Sequence, residues 1–331
     1  MGEWWFTTHL PTHPLNHSTT QSLNHPITNH QPPITILSIL LPIFNWDIRQ
    51  LAGDLIAQGR ALGVPFELIA LDDGSAPEYR EMNRSISGFP EVTYQELPQN
   101  IGRAAIRNRL GNLAQYPFLL FMDADSEVVR GDYLKVYLQA AAEDRVLVGG
   151  TCYSQEPPVD TGLYLRWQYG VRREQRPVAL RRRSPWSSFL THHFVISRSV
   201  FQRVRFDERL RDYGHEDTLF GLALQHEGIS ITHLDNPLQH AGLEPSAVFL
   251  AKTESSIRNL VFLYAEGHLL PSRLLEAYRL LQRLGLASWA AGGFERNQAA
   301  LRKRLEGPAP RLWQLDLYKL GYLCRLLNTP A

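Results

Sequence analysis

Apolar runs alternate with helically spaced apolar positions along the first half of this chain. Ile36-Leu37-Ser38-Ile39-Leu40-Leu41 reads as a buried strand broken by Pro42. Ile48, Leu51, Leu55 and Ile56 then recur at helical spacing and predict an amphipathic helix ending near Gly63. Phe66–Leu71 is the next strand, and a short helix starts around Pro77, a residue suited to a first helical turn. Val92-Thr93-Tyr94 reads as a strand, Ala104, Ala105, Ile106 and Leu110 mark a helix, and Phe118–Met122 is a further strand. A helix over Tyr133–Ala141 and a strand at Val146–Val148 continue the series. Such alternation predicts an α/β fold, a Rossmann-like and mostly parallel sheet with helices on both faces.

The pattern changes after residue 151. Residues 152 to 190 are rich in prolines and aromatics and carry seven arginines between Arg166 and Arg183. They read as a long excursion over the active face rather than as core. Regular pattern returns at Phe194-Val195-Ile196, after Glu216 and at Ile229-Ser230-Ile231. Beyond residue 246 the chain reads as helical, and Leu312 to Leu327 would either pack on the domain or lie on a membrane surface. Residues 1–33, with repeated His-Pro and Asn-His fragments, read as a disordered leader or a misassigned start. The expected organisation is therefore leader 1–33, an α/β domain over 34–245 and a helical extension over 246–331.

Composition adds mainly exclusions. The 34 basic and 33 acidic residues nearly cancel, which gives no reason to expect a nucleic-acid partner. The two cysteines, Cys152 and Cys324, build no disulfide framework and fit a reducing, cytoplasmic setting. No apolar stretch reaches the roughly 18 residues of a spanning helix, and the leader lacks the pattern of a secretory signal.

Candidate chemistry sits where strands end. Asp123-Ala124-Asp125 follows Phe118–Met122, and Asp72-Asp73-Gly74-Ser75 follows Leu68–Leu71, which places acids at the carboxyl edge of one sheet. Residues two apart on a strand point the same way, so Asp123 and Asp125 can face one ligand, and hard carboxylate oxygens suit Mg²⁺ or Mn²⁺ beside a diphosphate. The acidic turn at Asp72-Asp73 reads equally as a strand-to-helix turn capped by Ser75. Between them, Asn100-Ile101-Gly102 opens a helix whose free N–H groups, with Arg103 or Arg107, can attract phosphate or simply cap a surface helix. Glu216 or Asp217, ahead of an apolar helix, is either a general base or a favourable first-turn charge. His240 is a third metal ligand or a core hydrogen-bonding residue.

In their order and spacing, these motifs resemble family 2 glycosyltransferases. Pro42-Ile43-Phe44-Asn45, Asp72-Asp73-Gly74-Ser75, Asn100-x-Gly102 through Arg107-Asn108, Asp123-x-Asp125, Phe206-Asp207-Glu208, Gly214-x-Glu216-Asp217 and His240 carry the resemblance. It implies a GT-A fold, a nucleotide-sugar donor, an inverting displacement, a glycan or lipid-linked acceptor, and Mn²⁺ or Mg²⁺ as cofactor. Position by position, it implies that Pro42 and Phe44 contact the nucleotide, Asp73 reads the base (usually uracil) with Asp72 beside it, and Asp123 lies near the ribose and sugar. Asp125 matches the metal ligand, His240 a residue completing metal or diphosphate binding, Asp217 the catalytic base and Glu216 a positioning acid. Thr191-His192-His193-Phe194 departs from the family pattern, and His193 is a candidate ligand or acceptor contact there. The resemblance also implies work on bacterial surface glycans from the inner face of the cytoplasmic membrane, with the 166–183 arginines meeting diphosphate, an anionic acceptor, lipid headgroups or only solvent. Competing readings are nucleotidyl transfer to a sugar phosphate, which would release pyrophosphate, and a sugar-binding or membrane scaffold without turnover.

Overall fold

A computed structural model describes residues 37–210, 213–268 and 270–328. The leader expected over 1–33 lies outside the described residues. The chain opens with β1 (Leu37–Ile43), α1 (Arg49–Leu62), β2 (Phe66–Asp72), α2 (Pro77–Arg84), β3 (Val92–Glu96), α3 (Arg103–Leu113) and β4 (Phe118–Met122). Short elements follow: β5 (Ser126–Glu127), α4 (Tyr133–Ala140), β6 (Arg145–Val148) and β7 (Thr151–Cys152). Next come α5 (Tyr164–Tyr169), a π-helical turn at Gly170–Glu174, α6 (Val178–Arg183), β8 (His193–Ser197) and α7 (Arg198–Arg203). The remainder is α8 (Glu216–His226), β9 (Ser230–His233), β10 (Leu238–His240), α9 (Ser246–Ala265), α10 (Arg273–Arg283), α11 (Ala287–Leu305) and α12 (Leu312–Asn328).

Seven strands form the main sheet in the order β3-β2-β1-β4-β8-β6-β9. β1, β2, β3 and β4 run parallel, β8 runs antiparallel to both β4 and β6, and β9 pairs parallel with β6. Side chains alternate across the pleat, so one run supplies two cores. Leu37, Ile39, Leu41 and Ile43 of β1 join Leu55 of α1 and Tyr137 of α4, whereas Leu40 joins Ile106 of α3, Phe201 of α7 and Phe220 of α8. Burial on both faces explains why the strands read as unbroken apolar runs. This is the GT-A arrangement: a Rossmann-like sheet between helices, joined to a carboxyl-terminal helical bundle. The bundle has its own core, in which Leu250, Ile257, Leu275, Phe294 and Tyr318 meet Leu165 of α5.

Residues 152–190 contain more regular structure than their composition predicts. Arg166 and Arg181 are buried within α5 and α6 rather than solvated. Arg181 donates to the carbonyls of Val148, Gly149 and Leu234, holding α6 to the strand ends. α12 packs on α11 and α9. Among the described residues, no helix is long and apolar enough to cross a membrane.

Candidate active site

The register brings the acidic strand exits to one edge. Ile43 lies opposite Asp72, and Met122 opposite His193. Asp123 donates its N–H to the His192 carbonyl at 2.8 Å. Its carboxylate accepts from Arg107 at 2.5 Å and from Arg103 at 3.3 Å. Burial alone would raise the Asp123 pKa, but the two guanidinium groups outweigh it and hold the carboxyl below its usual range. Arg107 is itself only 2 % exposed and lies over the Phe206 ring.

Asp125 occupies a different environment. A second, three-stranded sheet β5-β10-β7 forms beside the main one, with His240 opposite Ser126. The Ala241 N–H donates to the Asp125 carbonyl at 2.9 Å. These contacts set His240 Nε2 3.4 Å from Asp125 Oδ2. A Cβ at Gly242 would fall 2.4 Å from the same oxygen, so only glycine leaves that carboxylate its place. Asp125 Oδ1 and His240 Nδ1 are buried with no hydrogen-bond partner. Burial, then the Asp123 charge, raises the Asp125 pKa, whereas burial, then Arg166, lowers His240 to about 4. A neutral imidazole beside a buried carboxylate with an unused oxygen fits a divalent cation, since two ligands bonded at about 2.1 Å stand no more than about 4.2 Å apart. Among the described residues no three His, Cys, Asp or Glu side chains gather as a full cage. Mg²⁺ and Mn²⁺ suit such a sparse set because phosphate and water complete their shell.

α8 presents the opposite wall. Gly214 and His215 both have positive φ, 106° and 72°, and turn the chain into that helix. Glu216 Oε1 pairs with Arg103 Nε at 2.9 Å, and its other oxygen accepts from the Gly214 N–H at 3.1 Å. Arg103 thereby bridges Asp123 and Glu216. Asp217 accepts from the Thr218 N–H at 2.7 Å. Burial, then the adjacent Glu216 charge, lifts its pKa to about 6, in the range of a general base.

The upstream acids are tied differently. Both Asp73 oxygens accept backbone N–H groups, from Ile101 at 2.7 Å and Gly102 at 3.2 Å. Asp72 accepts from the Ser75 N–H at 2.7 Å and is fully buried. Asn100 Oδ1 also accepts from Gly102, which starts α3 at φ 92°. Gly74 is required here, because its φ is 78° and a Cβ would strike the Asn100 backbone at 2.7 Å. The loop after β1 is pinned to the same turn by Asn45 and Ser75, leaving Phe44 53 % exposed and Pro42 half-buried.

A cavity of about 520 Å³ gathers Arg103, Asp123, Asp125, Glu216, Asp217 and His240. Pro42, Phe44, Asp72, Asp73, Asn100, Gly102 and Arg107 do not line it; Asp73 and Arg107 support its edge through the α3 turn and Asp123. His193 is also outside, with Nδ1 on the Tyr133 and Tyr137 hydroxyls and Nε2 on the Gly150 carbonyl. Its neighbour His192 lines the cavity instead, held by Ser126 and Thr151. Consecutive strand residues face opposite ways, and the sequence alone does not say which of the two faces in. The sequence pattern also passed over Tyr153 and Glu174. Their side chains bond to each other and to Arg166, which reaches within 3.4 Å of His240 Nε2. The π turn that carries Glu174 begins at Gly170, where a Cβ would lie 2.4 Å from the Tyr153 ring.

A GT-A sheet with Asp-x-Asp at the β4 exit and a Glu-Asp pair across the cleft defines a nucleotide-sugar-dependent transferase. The sequence profile described as "Glycosyl transferase family 2" matches residues 38–205, half of the chain, and the chain belongs to that family. Such an enzyme moves a sugar from a nucleoside-diphosphate donor to an acceptor. Among solved structures, the mannosyltransferase PcManGT from Pyrobaculum calidifontis, in complex with GDP-Man and Mn²⁺, is 15 % identical with a TM-score of 0.50, covering 89 % of this chain and 88 % of that one. Mannosyl-3-phosphoglycerate synthase from Rubrobacter xylanophilus is 15 % identical with a TM-score of 0.49, covering 72 % and 77 %. Residues 1–349 of S. aureus TarS are 18 % identical with a TM-score of 0.43, covering 86 % and 89 %. At these identities the likeness concerns the fold. No curated protein matches the chain by sequence.

Proposed function

We propose that the chain is an inverting, cation-assisted glycosyltransferase that takes a UDP-linked sugar and delivers it to a hydroxyl of a glycan or lipid-linked acceptor. One observation carries this reading: the Asp125–His240 pair and Asp217 face the same cavity, with Arg103 joined to both walls. Asp125 and His240 would hold Mn²⁺ or Mg²⁺, which offsets charge on the departing diphosphate. Asp123, fixed by Arg107, orients the ribose and sugar. Arg103 and the free N–H groups at the start of α3 add positive potential on the phosphate side. Asp73 shapes the Ile101–Gly102 turn and keeps acceptor lone pairs for the base, with Asp72, Asn100, Pro42 and Phe44 around the nucleotide.

Asp217 then accepts the proton of the attacking hydroxyl. Its raised pKa makes it a stronger base than an ordinary carboxylate while leaving it ionised at neutral pH. Glu216, locked to Arg103, steadies the wall that carries it. Holding both substrates in one cavity supplies the orientation that a bimolecular attack lacks. In this reading residues 34–245 bind the donor, and the helices of 246–331 complete the cavity from the acceptor side through Phe249, Lys252 and Lys319.

The test is a panel of UDP-, GDP-, ADP- and dTDP-sugars with Mn²⁺, scored by nucleoside diphosphate release and by thermal stabilisation. A UDP-sugar should give the largest stabilisation and slow hydrolysis, both lost on chelation. Stabilisation by no donor, or pyrophosphate as the released product, would defeat the proposal.

A further inference from the structure

Charge within the cavity is unevenly compensated. Arg103 is matched by Asp123 and Glu216, Arg166 by Glu174, and Lys252 by Glu244. Lys319 of α12 is not matched. Its Nζ lies 4.6 Å above the Tyr169 ring, and among the described residues no carboxylate comes within 4.0 Å of it. A ring face contributes on the order of 0.5–1 kcal/mol at such a site and leaves three N–H donors to satisfy. Arg173 stands one helical turn away along α12 through Asp316, in a pair with both side chains about half exposed. Such a surface pair contributes at most about 1 kcal/mol and yields readily to a stronger anion. Arg176 and Arg181, the cavity arginines without a carboxylate among the described residues, are held otherwise: Arg176 to Ser188 at 3.2 Å, and Arg181 to the carbonyls of Val148, Gly149 and Leu234.

The wall also orders these groups. His240 touches Arg166, Arg166 lies over Phe249, Phe249 packs on Tyr169, and Tyr169 lies under Lys319. Lys319 is thus separated from the Asp125–His240 end by two aromatic rings and a guanidinium. A diphosphate neutralised beside Asp125 does not account for it.

From this we infer that Lys319 and Arg173 bind an anionic group, a phosphate or a carboxylate, carried by the acceptor. The inference rests on the transferase reading of the same cavity. It makes the acceptor an anionic glycan whose attacked hydroxyl lies at Asp217 and whose charge lies at the α12 rim of the same cavity.

Titration calorimetry tests this with inorganic phosphate, and in a parallel arm acetate, added to protein saturated with UDP and Mg²⁺. One anion site should appear in the millimolar range, weaken at least about tenfold in Lys319→Gln and persist in Lys319→Arg. Tighter phosphate than acetate would assign a phosphorylated acceptor, and the reverse a uronic acid. No anion binding once UDP is bound, or equal binding by Lys319→Gln, overturns the inference. Weaker UDP binding in Lys319→Gln also overturns it, by placing Lys319 on the donor. Failure of UDP to bind the unaltered protein counts instead against the donor reading, and the same titration of free protein and variant then decides the anion site.

Discussion

Two strands of this sheet end in paired acids, and the two pairs have different fates. After β2, Asp72 and Asp73 spend their carboxylates on backbone N–H groups of their own turn and of the α3 start. After β4, Asp123 is fixed by two arginines, and Asp125 keeps a buried oxygen with no partner. Sequence shows both as acids following an apolar run. What separates them is the neighbouring backbone: Gly74 folds the first turn tightly onto Asn100, whereas β5 and β10 hold the second exit open beside His240. A carboxylate already supplied with donors shapes a loop and meets a ligand only through its remaining lone pairs, whereas one left short of donors is open to a cation.

The largest expected effects test the ligand-facing side of this contrast. Asp217→Asn should lower transfer by about 10²–10⁴-fold while UDP affinity holds, as measured by single-turnover rates and calorimetry. Asp125→Asn should fall similarly but lose cation-dependent donor binding. If Asp73→Asn were as damaging to turnover as Asp125→Asn at unchanged stability, the two pairs would not differ as described.

Next comes Arg107→Leu, which leaves the part-buried Asp123 carboxylate with Arg103 alone at 3.3 Å. Removing one partner of such a pair costs about 3–5 kcal/mol, readable as a lower denaturant midpoint. Asp73→Ala should cost less, about 1–3 kcal/mol, by orphaning the Ile101 and Gly102 N–H groups. Equal losses in the two variants would blur the distinction between an ion-paired and a backbone-bonded acid.

The smallest effect is a titration. Asp217 must be ionised to accept a proton, so kcat/KM should drop to half its plateau near pH 6 and about tenfold per unit further below. Because its folded pKa is raised, the contribution of this group to stability is fullest in acid and is lost as pH rises through about 6. An acid limb unchanged in Asp217→Asn would assign the titration elsewhere.

Much of the frame was legible from sequence. β2 and β4 sit where unbroken apolar runs placed them and Pro77 does begin α2, whereas β1 runs on through Pro42, expected to break it, to Ile43, with Pro42 opposite Leu71 of β2. The direction of β8 was not legible, since His193–Ser197 has the same apolar character whichever way it runs. The sheet β5-β10-β7 was missed because strands of two or three residues carry no periodicity. It is that sheet which sets His240 against Asp125. The buried cluster of Tyr153, Arg166 and Glu174 was hidden by composition: seven arginines suggest solvent, yet Arg166 of α5 turns inward onto Tyr153 and onto Glu174 of the π turn. Local pattern thus located the elements, and the cavity depended on contacts between segments far apart in the chain.

The wall that includes Phe249, Lys252 and Lys319 belongs to helices outside the sheet, which share a core of their own. Under the proposed division of roles, substitutions there would retune what is glycosylated while the residues assigned to the nucleotide stay as they are. Diversification of the product is thereby uncoupled from maintenance of the chemistry.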